Sequence, residues 1–145
     1  MKLRSIAFAL AALAALVFQS ACSDSALTAV AKPMPIIATA NQGMLNTVTT
    51  AQAAGAMTAD EARPLVQINL QIAQAGIQVD AAIKGLTALN ATQKASVLAD
   101  LQPVATAITA EVTNVNIGNA TTKTAILAAL TTLQAALASV TAALG

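Results

Sequence analysis

The chain has 145 residues, of which 57% are hydrophobic and 9% are charged, and its formal net charge is +1. It contains no histidine, tryptophan or tyrosine, one cysteine, and two phenylalanines, Phe8 and Phe18, that both lie near the N-terminus. Histidine-dependent catalysis and histidine or multi-cysteine zinc sites are therefore excluded. Since the sequence has neither a basic patch nor a series of aromatic side chains, it also predicts no nucleic-acid binding.

The first residues have the three parts of a secretory signal peptide. Lys2 and Arg4 supply positive charge, residues 5–18 form an uncharged and mostly apolar run, and small residues follow. A transmembrane helix needs about 20 apolar residues, and this run is shorter. It therefore predicts a cleaved signal peptide over residues 1–21 and an exported protein.

The single cysteine, Cys22, comes soon after the apolar run in the stretch FQSAC. Small residues, Ser20 and Ala21, precede it directly. The stretch resembles the lipobox of bacterial lipoprotein signals, although Gln19 stands where that pattern usually has leucine or another apolar residue. The resemblance implies that Cys22 carries a diacylglyceryl group, with acyl chains such as palmitate, and anchors the mature protein in a membrane. Ser23 in the next position, rather than aspartate, implies sorting to the outer membrane.

An alternative is ordinary signal-peptidase cleavage after Ser23, because the sequence ACS places small residues at both specificity positions. That cleavage would remove Cys22 and leave a periplasmic or secreted protein without an anchor. A lone cysteine has no disulfide partner, and its location directly after a signal peptide favours lipidation.

Residues 22–35 are predicted to form the lipidation site and a flexible tether. The segment SDSALTAVAKPMP has small residues followed by Pro33 and Pro35. Fully extended, residues 23–35 would reach about 40 Å and would hold a domain clear of the membrane surface. The alternative is that part of SALTAVA forms a helix.

The first predicted helix spans about residues 36–54 and is the weakest of four. Gly43 and several threonines lower its helix propensity, and Gly55 stands where a C-terminal cap is expected. Its apolar stripe is thin and consists of Ile37, Met44, Val48 and Ala51.

The second predicted helix begins with Thr58 to Glu61, which have the spacing of a capping box, and Pro64 follows near the first turn. The next residues are ambiguous, because alternating apolar residues from Ile68 to Ile72 also suit a strand. A longer seam with helical spacing favours a helix and consists of Leu65, Ile68, Ile72, Ala75, Val79, Ala82 and Leu86. Gly85 then supplies a helix-stop signal.

The third predicted helix spans about residues 91–115, with Asn90 as N-cap and Gln93 completing a second capping box. Pro103 lies well inside it and predicts either a kink or a break into two helices. The apolar side of this segment consists of Val97, Leu101, Val104, Ile108, Val112 and Val115.

The fourth predicted helix follows a turn at Gly118 and Asn119 and extends to about residue 143. Its seam has the most regular spacing in the chain and consists of Ile126, Leu130, Leu133, Leu137, Val140 and Leu144. The segment has no charge after Lys123, which raises the alternatives of membrane insertion or homo-oligomerisation through this helix. Threonine, glutamine and serine interrupt it, so the sequence favours a core helix.

Together these features predict an all-α, up-and-down bundle of about four helices over residues 36–145. Asp60 and Glu61 are explained by helix capping, and no motif suggests a catalytic, cofactor or metal site. We therefore expect a non-enzymatic envelope lipoprotein, anchored through Cys22, that contacts another envelope protein. The alternative is a soluble periplasmic or secreted helical protein that binds a small apolar ligand, with adaptable methionines in or near the first helix: Met34, Met44 and Met57.

Overall fold

The computed structural model describes residues 25–145, and within this range it has helices but no strand. The predicted signal peptide and Cys22 lie outside the described residues. One short helix precedes four long ones: α1 (Ala26–Ala31), α2 (Met34–Ala53), α3 (Ala59–Ile83), α4 (Ala91–Asn114) and α5 (Ala120–Leu144).

The four long helices form a closed ring in which each packs against two others. Helix α2 packs against α3 and α5, and α4 packs against the same two helices from the opposite side. Asn41 of α2 lies beside Asn69 of α3, and Met34 of α2 lies beside Gly76 of α3, so the two helices run antiparallel. The architecture is the predicted up-and-down helical bundle.

The core of the bundle is aliphatic. The α5 seam is buried along its whole length, which confirms the prediction of a core helix, and the predicted stripe of α2 is buried as well. Each of the four long helices contributes several residues to one continuous cluster, and α1 contributes Val30. In residues 25–145, no buried side-chain nitrogen or oxygen lacks a hydrogen-bond partner, as expected for a well-satisfied interior.

Helix ends are fixed by the predicted capping groups. Thr58 and Glu61 form a capping box at the start of α3, and Asn90 and Gln93 form another at the start of α4. Gly55, just after α2, has a φ of 68°, in the left-handed region that glycine adopts without a Cβ penalty. These local signals explain why the loops are short.

Two ambiguities of the sequence are resolved in favour of continuous helices. Residues 59–83 form one helix rather than a strand, and Leu70, which would belong to an alternating strand pattern, is 57% exposed. Helix α4 continues through Pro103, so the predicted break does not occur. The seam around Pro103 remains buried at Leu101 and Val104, which shows that packing is kept on both sides of the proline.

The flexible tether predicted for residues 22–35 is wrong for its described part. Ser25 caps α1, Val30 is fully buried, and Pro33 is buried too. The physical reason is packing: α1 lies against α5, a contact between segments that are distant in the sequence. Residues 25–35 therefore belong to the folded unit, and the alternative of a helix in SALTAVA is confirmed.

Candidate functional site

An apolar groove runs between the N-terminal half of α2 and the C-terminal half of α3. It has a volume of about 620 Å³. Met34 lies over Gly76: its Cε atom is 3.8 Å from where a Cβ atom of residue 76 would be, an ordinary van der Waals distance. The principal apolar lining residues come from both helices and are Met34, Ile37, Ala38, Ile72, Ile77 and Ile83.

A strip of exposed aliphatic side chains extends the groove along α3. Val66, Leu70 and Ile77 are 37%, 57% and 72% exposed, and they are the exposed large hydrophobic residues of the described chain. Their spacing places them on one side of the helix, beside the groove. We call these three residues the α3 strip. Ile77 belongs to both the strip and the groove wall, so the two features form one surface.

Asn41 and Asn69 lie at the end of the groove that is farther from α1, and they link α2 and α3. The Asn41 side-chain amide donates to the Asn69 carbonyl oxygen at 3.2 Å. The Asn69 amide donates to the backbone and side-chain oxygens of Asn41, at 3.0 and 2.9 Å. Asn41 is buried, and this pair satisfies it while fixing how α2 and α3 align.

The groove has little capacity for chemistry. Among its lining residues, Asp80 is the one charged side chain, and it is exposed at the rim. Within residues 25–145, no group of three or more potential metal-ligating side chains lies together. The surface can therefore hold apolar groups, with an amide at one end and a carboxylate at the other.

Of the acidic pair predicted to cap a helix, Glu61 forms the cap and Asp60 lies beside it in the first turn of α3. Asp60 forms a 2.8 Å ion pair with Arg63, and Glu61 closes the capping box. Hydrogen bonds to the ionised Glu61 carboxylate, first from the Thr58 backbone and then from the Gly118 backbone, lower its pKa. Desolvation raises the pKa of a different carboxyl, Glu111 of α4.

Of the three methionines proposed for an adaptable groove, one lines it. Met34 does, whereas Met44 and Met57 are buried in the core. The α3 strip was not predicted from the sequence, although Val66, Leu70 and Ile77 are apolar residues that do not belong to the predicted seam. Apolar residues left over on an otherwise polar helix face were the signal that could have identified it.

Helix α5 is long and apolar enough to cross a bilayer by length and composition alone. Its seam residues nevertheless pack in the bundle core, and core helices often satisfy the same criteria. This helix therefore serves the fold and does not add to the groove.

Comparison of the chain with models of protein families, with curated proteins and with solved structures finds no match in any of the three.

Proposed function

We propose that this chain is a non-enzymatic lipoprotein of the bacterial envelope, anchored through acylated Cys22, that acts by contact with another envelope protein. The signal-like N-terminus and the stretch FQSAC support export and lipidation. Two or more acyl chains on one residue give stable membrane attachment, whereas a single chain gives marginal binding. Ser23 after the cysteine supports the outer membrane as the destination.

The α3 strip is the observation that supports contact with another envelope protein. Ile77 and Leu70 expose more than half of their surface, although burial of such side chains in the core is strongly favourable. From Val66 to Ile77 the strip extends about 17 Å along the helix. This is long enough for the apolar side of a partner helix, and exposed apolar patches next to polar residues are typical of interaction surfaces.

The anchor is tested by intact-mass measurement of the protein purified from membranes of its producing cell. We expect a chain that begins at Cys22 and carries a diacylglyceryl adduct. A chain that begins near Asp24, without Cys22, would contradict anchoring and support the soluble alternative.

The contact is tested by photo-crosslinking from a reactive amino acid placed at Leu70. We expect one discrete crosslinked product in cells, which Ile77→Asp abolishes and Gln78→Asp retains. Gln78 is an exposed neighbour on the polar side of α3, so its variant carries the same charge change away from the strip. Equal crosslinking in both variants would contradict the role of the strip, and a product of twice the chain mass would identify self-association instead.

The second candidate function, binding of a small apolar ligand by a periplasmic or secreted protein, is favoured by the groove itself. A longer side chain at Gly76 should fill the groove beside Met34 without disturbing the core. Gly43 lies on the exposed side of α2 with open space around it, and its replacement is the matched control. A fluorescent fatty-acid probe should bind the native chain and Gly43→Leu, and it should not bind Gly76→Leu. Equal binding to both variants would contradict this function.

A further inference from the structure

The exposed side of α3 carries a second apolar row with heptad spacing. Ala73 is exposed and lies between Leu70 and Ile77, so it joins the residues of the α3 strip into one row. The steps from Val66 to Ile77 are four, three and four residues, the repeat by which two helices pack side by side. We call these four residues the exposed seam. The opposite side of α3 is buried in the bundle, so the exposed seam is free to pack against a helix of another molecule.

The exposed seam ends in one charged residue on each side, with the same spacing. Arg63 lies three residues before Val66, and Asp80 lies three residues after Ile77. Both charged side chains are exposed. The row therefore begins with a positive charge and ends with a negative charge.

This row is complementary to itself when two copies of α3 run antiparallel. From the first charge to the last, its steps are three, four, three, four and three residues, which read the same in both directions. A two-fold axis between positions 71 and 72 places Val66 opposite the partner's Ile77 and Leu70 opposite the partner's Ala73. Each apolar residue of the exposed seam then meets an apolar residue, and the large Leu70 meets a small one.

The same antiparallel register brings opposite charges together at both ends. Arg63 lies opposite the partner's Asp80, and within residues 25–145 Asp80 has no ion-pair partner. Arg63 contacts Asp60 at 2.8 Å through one guanidinium nitrogen, and a guanidinium has further N–H donors for a second carboxylate. A parallel pairing would place each charge next to its own copy. Charge complementarity therefore selects an antiparallel second copy as the occupant of this surface.

The remaining charges of α3 do not oppose this pairing. Lys84 is exposed just after the helix and falls opposite the partner's Ala59, next to Asp60. The Glu61 carboxylate is occupied by hydrogen bonds from Thr58 and Gly118. Each end of the paired helices therefore combines positive and negative side chains.

We propose that the exposed seam of α3 pairs antiparallel with the exposed seam of a second copy of this chain, which gives a two-fold symmetric dimer. The proposal rests on the proposed role of the α3 strip in protein contact and names the partner as this same chain. From Arg63 to Asp80 the paired helices extend about 26 Å. A contact made by one helix from each copy is small, so the dimer should be weak in dilute solution. Attachment of both copies to one membrane would favour it by raising their effective concentration.

The test uses the full chain in its producing cell, with the photoreactive amino acid at Leu70. This position lies opposite the partner's Ala73, so we expect a crosslinked product of twice the chain mass. Arg63→Asp alone places two carboxylates face to face at both ends of the dimer, and Asp80→Arg alone places two guanidinium groups there. Each single variant should give about tenfold less of the double-mass product.

Co-expression of the two single variants, each with its own affinity tag, tests the register directly. The introduced carboxylate of one chain then lies opposite the introduced guanidinium of the other, and the native Asp80 lies opposite the native Arg63. The double-mass product should return and carry both tags, which would also show that each variant folds. The double variant Arg63→Asp/Asp80→Arg should pair with itself. Gln78→Asp, which adds a charge outside the exposed seam, is the matched control and should keep the product.

Failure of the dimer and failure of the proposed function give different results. A discrete product of another mass, without the double-mass product, would overturn the dimer and leave contact with a different envelope protein standing. A double-mass product that neither single variant reduces would overturn the antiparallel register. Complete absence of crosslinked product would overturn both the dimer and the role of the α3 strip as a contact surface.

Discussion

The Glu61 carboxylate accepts a 2.7 Å hydrogen bond from the backbone N–H of Gly118, a residue 57 positions away in the chain. The same carboxylate accepts a 2.7 Å bond from the backbone N–H of Thr58 through its other oxygen. One side chain therefore caps α3 and also holds the loop between α4 and α5 against the start of α3. This contact joins two loops at the end of the bundle opposite Ser25.

Replacing Glu61 by glutamine should make stability less dependent on acid pH. The pKa of Glu61 is lowered in the folded chain, so its hydrogen bonds stabilise the fold above the ordinary value of 4.5. That contribution is lost as the pH falls through the lowered pKa of the folded state. Urea unfolding measured at a series of pH values should show a steeper loss below pH 4.5 for the native chain than for Glu61→Gln. Parallel curves would contradict the predicted linkage.

Glu111→Gln should change the pH dependence of stability in the opposite direction to Glu61→Gln, and it serves as the control. Burial raises the pKa of Glu111, so the unfolded chain releases this proton first as the pH rises. Stability therefore falls as the pH rises from the ordinary value of 4.5 through the raised pKa of the folded state, and it stays lower above it. We expect Glu111→Gln to be more stable than the native chain at neutral pH and about equal to it below both pKa values. A neutral-pH stability below that of the native chain would contradict this account.

The local part of the Glu61 contact could be predicted from sequence, and the long-range part could not. Thr58 and Glu61 are three residues apart, and that spacing alone indicates a capping box. Gly118 donates through its backbone, which has no residue-specific signal, and its approach depends on how α4 and α5 pack. The same reason explains why helix seams were predicted well and most of the groove lining was not: seams repeat along one helix, whereas a groove depends on the alignment of two.

The reciprocal hydrogen bonds of Asn41 and Asn69 should be energetically coupled. Removing one partner leaves the other with unsatisfied polar atoms in a partly buried position, so Asn41→Ala should cost about 1–2 kcal/mol. The double variant with Asn69→Ala should cost less than the sum of the single variants by about 1 kcal/mol. Unfolding free energies from urea titrations of the four chains measure this coupling.

The matched control for that cycle is a hydrogen bond in the same helix that faces solvent. The Gln42 side chain donates to Asn46 at 3.1 Å on the exposed side of α2. Exposed pairs within one helix contribute little, so Gln42→Ala should change stability by at most about 0.5 kcal/mol. Strict additivity of the Asn41 and Asn69 variants would show that the pair does not act as a unit.

Leu133 and Leu70 should respond very differently to the same truncation. Leu133 lies in the α5 seam and is fully buried, so Leu133→Ala should cost about 2–5 kcal/mol. Leu70 belongs to the α3 strip and is 57% exposed, so Leu70→Ala should stay within about 0.5 kcal/mol of the native chain. Thermal or urea unfolding distinguishes them. A small effect at Leu133 would mean that the α5 seam faces away from the core.

The prediction of a flexible tether over residues 25–35 was wrong because the sequence does not show what α1 packs against. Small residues followed by Pro33 and Pro35 are typical of a linker, and a six-residue helix has little stability of its own. What stabilises α1 is its packing against α5, which is known only when the arrangement of the helices is known. Composition alone suggests a linker at residues 25–35, whereas packing against α5 makes α1 a helix.

Val30→Ala tests whether α1 belongs to the folded unit. The side chain is fully buried, and loss of two buried methyl groups should cost about 2 kcal/mol. Ala31→Ser is the control, since Ala31 is the exposed neighbour and a small polar change there should be nearly neutral. Urea unfolding of both variants measures the difference. Equal stability of the two variants would mean that α1 is a linker and does not belong to the folded unit.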